Sequence, residues 1–317
     1  MAKVTFHGHA TCSIETDDGT HLVIDPFFGE NPPAFRERVT AAAEFSAENS
    51  FPAEPSHKPA PPLVWRHLSY QVHSGARNMA LDHALADAIG AGHGNEGVVR
   101  LYGWERPTLS LGRNEPAAAY AIESMRGSGF DVVRRPTGGR AVLHDRELTY
   151  AVVAPIDGWG GVRAAYLRIN HALAQALRSL GAPVDVASGT RSLAPDAGPC
   201  FQAPAAGEIV AAGRKLVGSA QARIGSALLQ HGSILLEGDQ GPLGGVDQSR
   251  VPSHGPIGLR ELVGDVSIDE VAGAVAESLR TELGGRWGSG ELDAVEREAA
   301  DRLEAETYAR DTWTWRR

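Results

Sequence analysis

RRPTGGRAVLHD, residues 134–145, decides how the rest of the chain is read. An apolar pair, Val132 and Val133, feeds two arginines. A Pro-Thr turn follows, then two bare glycines, then a second apolar run ending in His144 and Asp145. Glycine has no Cβ, so the backbone can approach a ligand closely and adopt positive φ without steric cost. The N–H groups of Gly138 and Gly139 can therefore cradle a carbonyl, carboxylate or phosphate. Arg134, Arg135 and Arg140 bias such a cradle toward anions or polarised acyl groups. A hairpin turn with solvated arginines is the plainer reading of the same residues, and His144 alone is more often structural than catalytic.

Working outward, the surrounding sequence has α/β character. Ser74 to Ile89 reads as a helix, with Leu81, Leu85 and Ile89 spaced by four. VVRLYGW (98–104), TLSLG (108–112), FDVVRR (130–135) and LTYAVVA (148–154) read as strands. Ala164 to Leu180 carries Ile169, Leu173, Leu177 and Leu180 on one face, with Gly181 just past its end. RKLVGSAQ (214–221) and SALLQHGSILLE (226–237) pair as a hairpin. Ser267 and Glu270 form a capping-box signature ahead of Val271, Val275 and Leu279. Glu291 to Glu306 reads as the last helix.

Upstream the character changes. Residues 1–28 alternate as a β-hairpin would, with a turn at Asp17-Asp18-Gly19. The polar, proline-rich stretch 46–64 cannot pack as helix or central strand and reads as a linker. The expected organisation is a β segment at 1–45, a linker at 46–64 and a main domain at 65–317.

A second constellation spans residues 199–239. Cys200 follows a proline in a loop-like stretch, and Lys215 lies on a strand leading into Gly218, Ser219 and Ala220. A thiolate is a strong nucleophile, scarce at the free cysteine pKa, and a nearby ammonium would stabilise it. The same ammonium could polarise an acyl carbonyl. Alone, Cys200 reads more readily as a small buried apolar residue than as a nucleophile, Lys215 as a surface charge and His231 as a structural histidine.

Bulk properties narrow the classes. The chain has 317 residues, 42% of them hydrophobic, as in ordinary soluble domains. No apolar run approaches the roughly 20 residues of a membrane helix, and the N-terminus has no apolar core of the signal-peptide kind. A cytoplasmic site is expected. Two cysteines, Cys12 and Cys200, are too few for a disulfide framework. A net charge of −9 argues against nonspecific nucleic-acid binding.

RRPTGGRAVLHD, GRKLVGSAQ and LLQHGSILL together resemble the biotin/lipoate protein ligase family, in its lipoyl branch. NMALD (78–82) and PTLSLG (107–112) resemble that branch's first-helix and early-strand motifs. The resemblance runs from about Trp65 to the C-terminus, where Tyr308 and Trp313 look like the family's closing segment. The arginine-glycine adenylate loop of the biotin branch is not visible. An α+β fold is implied, with a mixed or antiparallel central sheet flanked by helices.

Two activities live on this scaffold: ATP-dependent lipoate ligation, and octanoyl transfer from acyl carrier protein through a cysteine thioester. Gly-Gly-Arg at 138–140 and Cys-Phe-Gln-Ala-Pro at 200–204 resemble the octanoyltransferases. The resemblance implies Cys200 as nucleophile and Lys215 as thiolate stabiliser. Arg135, Thr137, Gly138, Gly139, His144, Gly218, Ser219, Ala220 and His231 would contact substrate, with Val142, Leu216 and Leu229 lining an acyl channel.

Implied partners are acyl carrier protein and lipoyl domains, such as the glycine-cleavage H protein and 2-oxoacid dehydrogenase E2, with no cofactor. ATP and Mg would enter only under the alternatives, a lipoate ligase or a related amidotransferase. A non-catalytic lipoyl-domain-binding module is the third reading. Docking of acidic partners would need a local basic patch, expected at Arg134, Arg135 and Arg214.

VTFHGHATCSIETDDGTHLVIDPFF resembles the opening hairpin of metallo-β-lactamase-fold hydrolases. Those enzymes need a His-x-His-x-Asp-His cluster, which this sequence lacks, so no catalytic metal is expected.

Overall fold

The computed structural model describes three short strands within residues 3–24, then residues 63–316 apart from 93, 118–126, 128, 158, 188–206 and 239–254. The chain divides into two units, Met1–Pro59 and Ala60–Arg317.

In the first unit, β1 (Lys3–Phe6), β2 (Cys12–Glu15) and β3 (His21–Ile24) form an antiparallel sheet in that order. The expected hairpin is the β2–β3 pair, with Glu15 opposite His21. The proline-rich linker lies outside the described residues, except that its C-terminal end belongs to the second unit. Val64, placed in the linker by composition, begins a strand.

The second unit is built on an eight-stranded sheet. Its elements begin with β4 (Val64–His73), α1 (Gly75–Ala91) and β5 (Glu96–Trp104). They continue with β6 (Thr108–Leu111), β7 (Asp131–Arg134), β8 (Val142–His144) and β9 (Glu147–Pro155). Next come α2 (Val162–Ser179), β10 (Asp185–Val186), β11 (Ile209–Ala211), β12 (Arg214–Ile224) and β13 (Ala227–Leu235). The chain then forms α3 (Leu259–Val263), α4 (Ile268–Leu283), β14 (Arg286–Gly290) and α5 (Ala294–Leu303). A π-helical turn, Glu304–Tyr308, and α6 (Asp311–Thr314) close it.

The large sheet runs β10-β11-β12-β13-β9-β5-β4-β14. It is antiparallel from β10 to β5 and parallel across β5-β4-β14. A small sheet, β7-β6-β8, carries the two strands that flank the glycine loop. This is the mixed sheet with flanking helices that the sequence implied. β4 and β14 were not foreseen. The first follows directly on the proline-rich stretch, and the second, RWGSG, has neither alternation nor an apolar run.

β9 shows why the sheet is buried on both faces. Leu148, Tyr150, Val152 and Ala154 point into the core formed with α2 and α4, while Ala151 and Val153 point into the core formed with α1. Side chains alternate along a strand, so a continuous apolar run such as LTYAVVA suits a strand covered on both sides. The helices start where the chain supplies caps. The Ser74 hydroxyl accepts from the Arg77 N–H at 3.2 Å, and Ser267 with Glu270 closes the expected capping box. Leu173, Leu177, Val275 and Leu279 are fully buried between α2, α4 and the sheet. Truncating one such leucine costs about 2–5 kcal/mol.

Candidate active site

The glycine loop is shaped by the arginines before it. Arg135 donates from Nη1 to the Ser110 carbonyl at 2.8 Å, and from Nη2 to the carbonyls of Gly138 at 3.0 Å and Arg140 at 2.7 Å. It therefore holds both ends of the Gly-Gly step. Arg134 is fully buried and donates to the carbonyls of Gly112 (2.6 Å), Glu115 (2.7 Å) and Thr314 (2.9 Å). That ties the β6 loop and the C-terminal segment to β7. Glu115 receives the N–H groups of Gly112 and Ala141, each at 2.9 Å.

Gly139 has φ +90°, and a Cβ on Gly112 would sit 1.8 Å from the Gly139 carbonyl oxygen. Both positions need glycine, one for its conformation and one for the close approach of two backbones. Burial thereby removes Arg134 and Arg135 from the expected basic docking patch. Arg134 and Arg135 are internal struts whose guanidinium groups satisfy backbone carbonyls. Arg214 spends its donors on Gly255, Pro256 and Glu261.

Beside this loop lies a pocket. Of the residues expected to contact substrate, Arg135, Gly139, His144, Gly218, Ser219, Ala220 and His231 line it. Thr137 and Gly138 are not on its wall, but the Thr137 hydroxyl meets His231 Nε2 at 2.7 Å. Val142 lines the pocket as expected. Leu216 and Leu229 do not, because strand alternation turns them into the cores behind the sheet.

Sequence reasoning missed Met79, Tyr102, Trp104, Ser110 and Thr149 on the wall. Their contributions come from α1, β5, β6 and β9, which meet only in three dimensions. The motifs NMALD and PTLSLG did mark two of these elements.

Two imidazoles are held in the wall by carboxylates. His144 Nδ1 meets Glu147 Oε1 at 2.8 Å, its Nε2 meets the Ser110 hydroxyl at 2.7 Å, and its ring stacks on Trp104 at 4.0 Å. His231 Nδ1 meets Asp82 Oδ2 at 2.8 Å. Asp82 is also bound by Arg100 and by the Tyr102 hydroxyl at 2.9 Å. Burial alone would push the Asp82 carboxyl up. The Arg100 guanidinium, helped by His231 and Tyr102, outweighs it and holds the carboxyl below its ordinary value. Burial pushes His231 down, and the partial compensation by Asp82 does not cancel it.

On the α2 side of the wall, Gln230 Nε2 donates to the Tyr150 hydroxyl at 2.9 Å. The Tyr150 and Ser219 hydroxyls meet at 2.7 Å, and Ser219 donates to Asn170 Oδ1 at 3.0 Å. Burial pushes the Tyr150 phenol up to about 12, so it stays neutral and keeps its proton. Asn170 then donates to the Gly207 carbonyl at 2.8 Å.

Cys200 lies outside the described residues, but both flanks of its segment are fixed. Ala187 and Gly207 are joined by a 2.9 Å hydrogen bond, and the Ala187 N–H donates to the Glu208 carbonyl at 2.7 Å. The Glu208 carboxylate in turn accepts from Lys215 Nζ at 2.6 Å, both side chains being buried. Lys215 is not on the pocket wall. It forms a buried ion pair at the root of the cysteine segment, a partnership the sequence did not disclose. Among the described residues no cluster of His, Cys, Asp and Glu could hold a metal ion. The hydrolase-like resemblance near the N-terminus concerns side chains outside the described residues. No helix among the described residues is long and apolar enough to cross a membrane.

This sheet, with a glycine loop over a half-enclosed pocket, places the chain among the lipoyl protein ligases and transferases. The profile of the lipoyl protein ligase A/B catalytic domain matches residues 74–280, and the chain belongs to that family. The octanoyltransferase LipM of Kyrpidia tusciae is 42% identical over 276 residues, covering 80% of this chain and 99% of the relative. That of Bacillus subtilis is 34% identical over 280 residues, with the same coverage of each chain. Within the family the chain therefore stands with the ligase-scaffold octanoyltransferases and is an acyltransferase.

Among solved structures, lipoate-protein ligase A bound with ATP superposes with a TM-score of 0.66 at 23% identity, covering 80% of this chain and 98% of that one. The bi-partite lipoate protein ligase of Thermoplasma acidophilum, described together with its E2 lipoyl domain as an archaeal lipoylation system, gives the same score and identity over 80% and 96%. These likenesses establish the shared fold.

Proposed function

We propose that the protein transfers an octanoyl group from octanoyl-acyl carrier protein to a lysine of a lipoyl domain, through a thioester on Cys200. The Cys200 sulfur attacks the donor thioester and the phosphopantetheine thiol leaves. The acceptor lysine amine then attacks the acyl-enzyme, forming an amide and releasing the cysteine. Exchange of one thioester for another is nearly thermoneutral, and amide formation draws the second step forward without ATP or another cofactor. The pocket at the glycine loop would hold the acyl chain, since a largely apolar cleft with a few polar groups suits an alkyl ligand. Lipoyl domains of the H protein and of 2-oxoacid dehydrogenase E2 are the acceptors, and the cytoplasm is the site of action.

The observation that carries this reading is the 42% identity to an octanoyltransferase across nearly its whole length. The buried Glu208–Lys215 pair supports it, because it puts an ammonium where the cysteine segment returns to the fold. The test is the intact mass of the protein after incubation with octanoyl-acyl carrier protein, without ATP, beside the Cys200→Ser variant. An octanoyl adduct in the parent only, discharged by an apo lipoyl domain, is the expected result. Modification of the lipoyl domain only with ATP and a free fatty acid would overturn the reading in favour of a ligase.

A further inference from the structure

The pocket at the glycine loop has a far end, and one buried carboxylate holds that end together. The pocket crosses the large sheet from β12, where Ser219 and Ala220 are half-buried beside exposed Gly139, over β13 and β9 to β5. Those are three inter-strand steps of about 4.8 Å each, room for an extended chain of medium length. At the β5 end stand the stacked rings of Trp104 and His144. Both residues also border a second cleft at the surface, lined by Tyr70, Val72, Pro107 and Ile268. The two rings therefore form a partition between the pocket and an apolar surface cleft, where Val72 is 45% exposed.

Glu147 pins both rings through one oxygen. His144 Nδ1 meets Glu147 Oε1 at 2.8 Å. Trp104 Nε1 donates to the Thr149 hydroxyl at 2.7 Å, and Thr149 donates to the same Oε1 at 2.6 Å. The Ser233 hydroxyl adds a third bond at 2.7 Å. The other oxygen, Oε2, is buried and has no hydrogen-bond partner among the described residues. A buried polar atom left unpaired costs stability, so stabilising the fold is a poor account of this carboxylate. Its bonds suit a clamp that fixes two rings at once.

We propose that Glu147 sets the length of acyl chain the enzyme accepts, by clamping the Trp104–His144 partition across the end of the pocket. The inference rests on this pocket being the acyl site, as proposed above. An octanoyl chain stops at the rings. A longer chain has to part them, and its extra methylenes then lie in the cleft against Val72 and Ile268. Trp104 and His144 touch the chain end, and Glu147 is a positioning residue behind them. Removing the clamp frees both rings, and each methylene that gains shelter favours binding about fourfold.

The test is calorimetric titration of the full chain with octanoate and with dodecanoate, which involves no covalent step. The parent should prefer octanoate. Glu147→Ala and His144→Ala should each raise the ratio of dodecanoate to octanoate affinity about tenfold, the gain expected from roughly two sheltered methylenes. The double variant should go little further, because both side chains act on one partition. Glu147→Gln, which keeps an acceptor oxygen, should stay near the parental ratio. Competition between octanoyl- and dodecanoyl-acyl carrier protein, read by intact mass, should show the same change in the acyl group carried.

An unchanged ratio in both alanine variants, or a Glu147→Gln ratio that matches Glu147→Ala, overturns the clamp. A parent that loads from octanoyl-acyl carrier protein yet shows no preference for octanoate overturns the clamp and leaves the thioester reading standing. A parent that prefers octanoate but never loads does the reverse. Should Glu147→Ala fail to fold, His144→Ala alone decides.

Discussion

Replacing Asp82 with asparagine tests the buried network in α1 most directly. The carboxylate is fully buried and accepts from Arg100, from the Tyr102 hydroxyl at 2.9 Å and from His231 Nδ1 at 2.8 Å. An amide of the same shape can keep the Tyr102 bond, so the loss is chiefly one of charge. Arg100 is 4% exposed, and it also donates to the neutral oxygens of Asn78 at 3.2 and 3.4 Å. Its guanidinium would stay in the interior without a counter-charge. Breaking one side of a buried ion pair costs about 3–5 kcal/mol. That is a large part of the roughly 5–15 kcal/mol that holds a domain together.

The assay is equilibrium urea unfolding at pH 7, with fluorescence and circular dichroism as independent probes. Asp82→Asn should lose about 3–5 kcal/mol. The double variant Asp82→Asn with Arg100→Met should be more stable than the sum of the singles by at least about 1 kcal/mol, because no unpaired charge remains. A loss under about 1 kcal/mol in the single variant, or strict additivity in the double, would refute the assignment of this pair as the polar anchor of α1.

Two further outcomes follow from the same geometry. His231 is held below its ordinary value of 6.5 by burial, so below that pH the unfolded chain takes up a proton that the folded chain refuses. Its contribution to stability is complete above about pH 6.5 and declines as the pH falls toward the folded value. Melting temperatures from pH 7.5 to 5 should therefore fall less steeply in His231→Gln than in the parent, and parallel curves would contradict the shift. Gly112→Ala would place a methyl 1.8 Å from the Gly139 carbonyl oxygen, a backbone atom that cannot swing aside. It should cost about 1–3 kcal/mol or more and weaken octanoyl loading, whereas an unchanged urea midpoint would show that the two loops are not in contact.

Much of the fold was legible because it is local. The 3.6-residue spacing of Ile169, Leu173 and Leu177 marks α2, the Ser267–Glu270 pair marks the start of α4, and the continuous apolar run at 148–154 marks a strand covered on both faces. The glycines at 138 and 139 likewise announced a backbone that must come close to something. RRPTGGRAVLHD, GRKLVGSAQ and LLQHGSILL fixed the family, since several ordered motifs are far more specific than any one of them.

What the sequence left open depends on strand order and on which face a side chain takes. Arg134 and Arg135 look like a basic patch in one dimension, but β7 turns them inward, where the carbonyls of the neighbouring loops need donors. Lys215 reads as a surface charge until β11 folds beside β12 and brings Glu208 to it. Asp82 and His231 stand 149 residues apart and meet only because α1 packs on the sheet face that β13 presents. β14 finds its place beside β4 through a parallel pairing that no pattern in RWGSG foretells. The chain by itself determined periodicities, caps and motif identity, all set by neighbours within a few residues. The tertiary structure decided which buried charges meet, because a buried charge needs a partner and only the packed sheet brings those partners together.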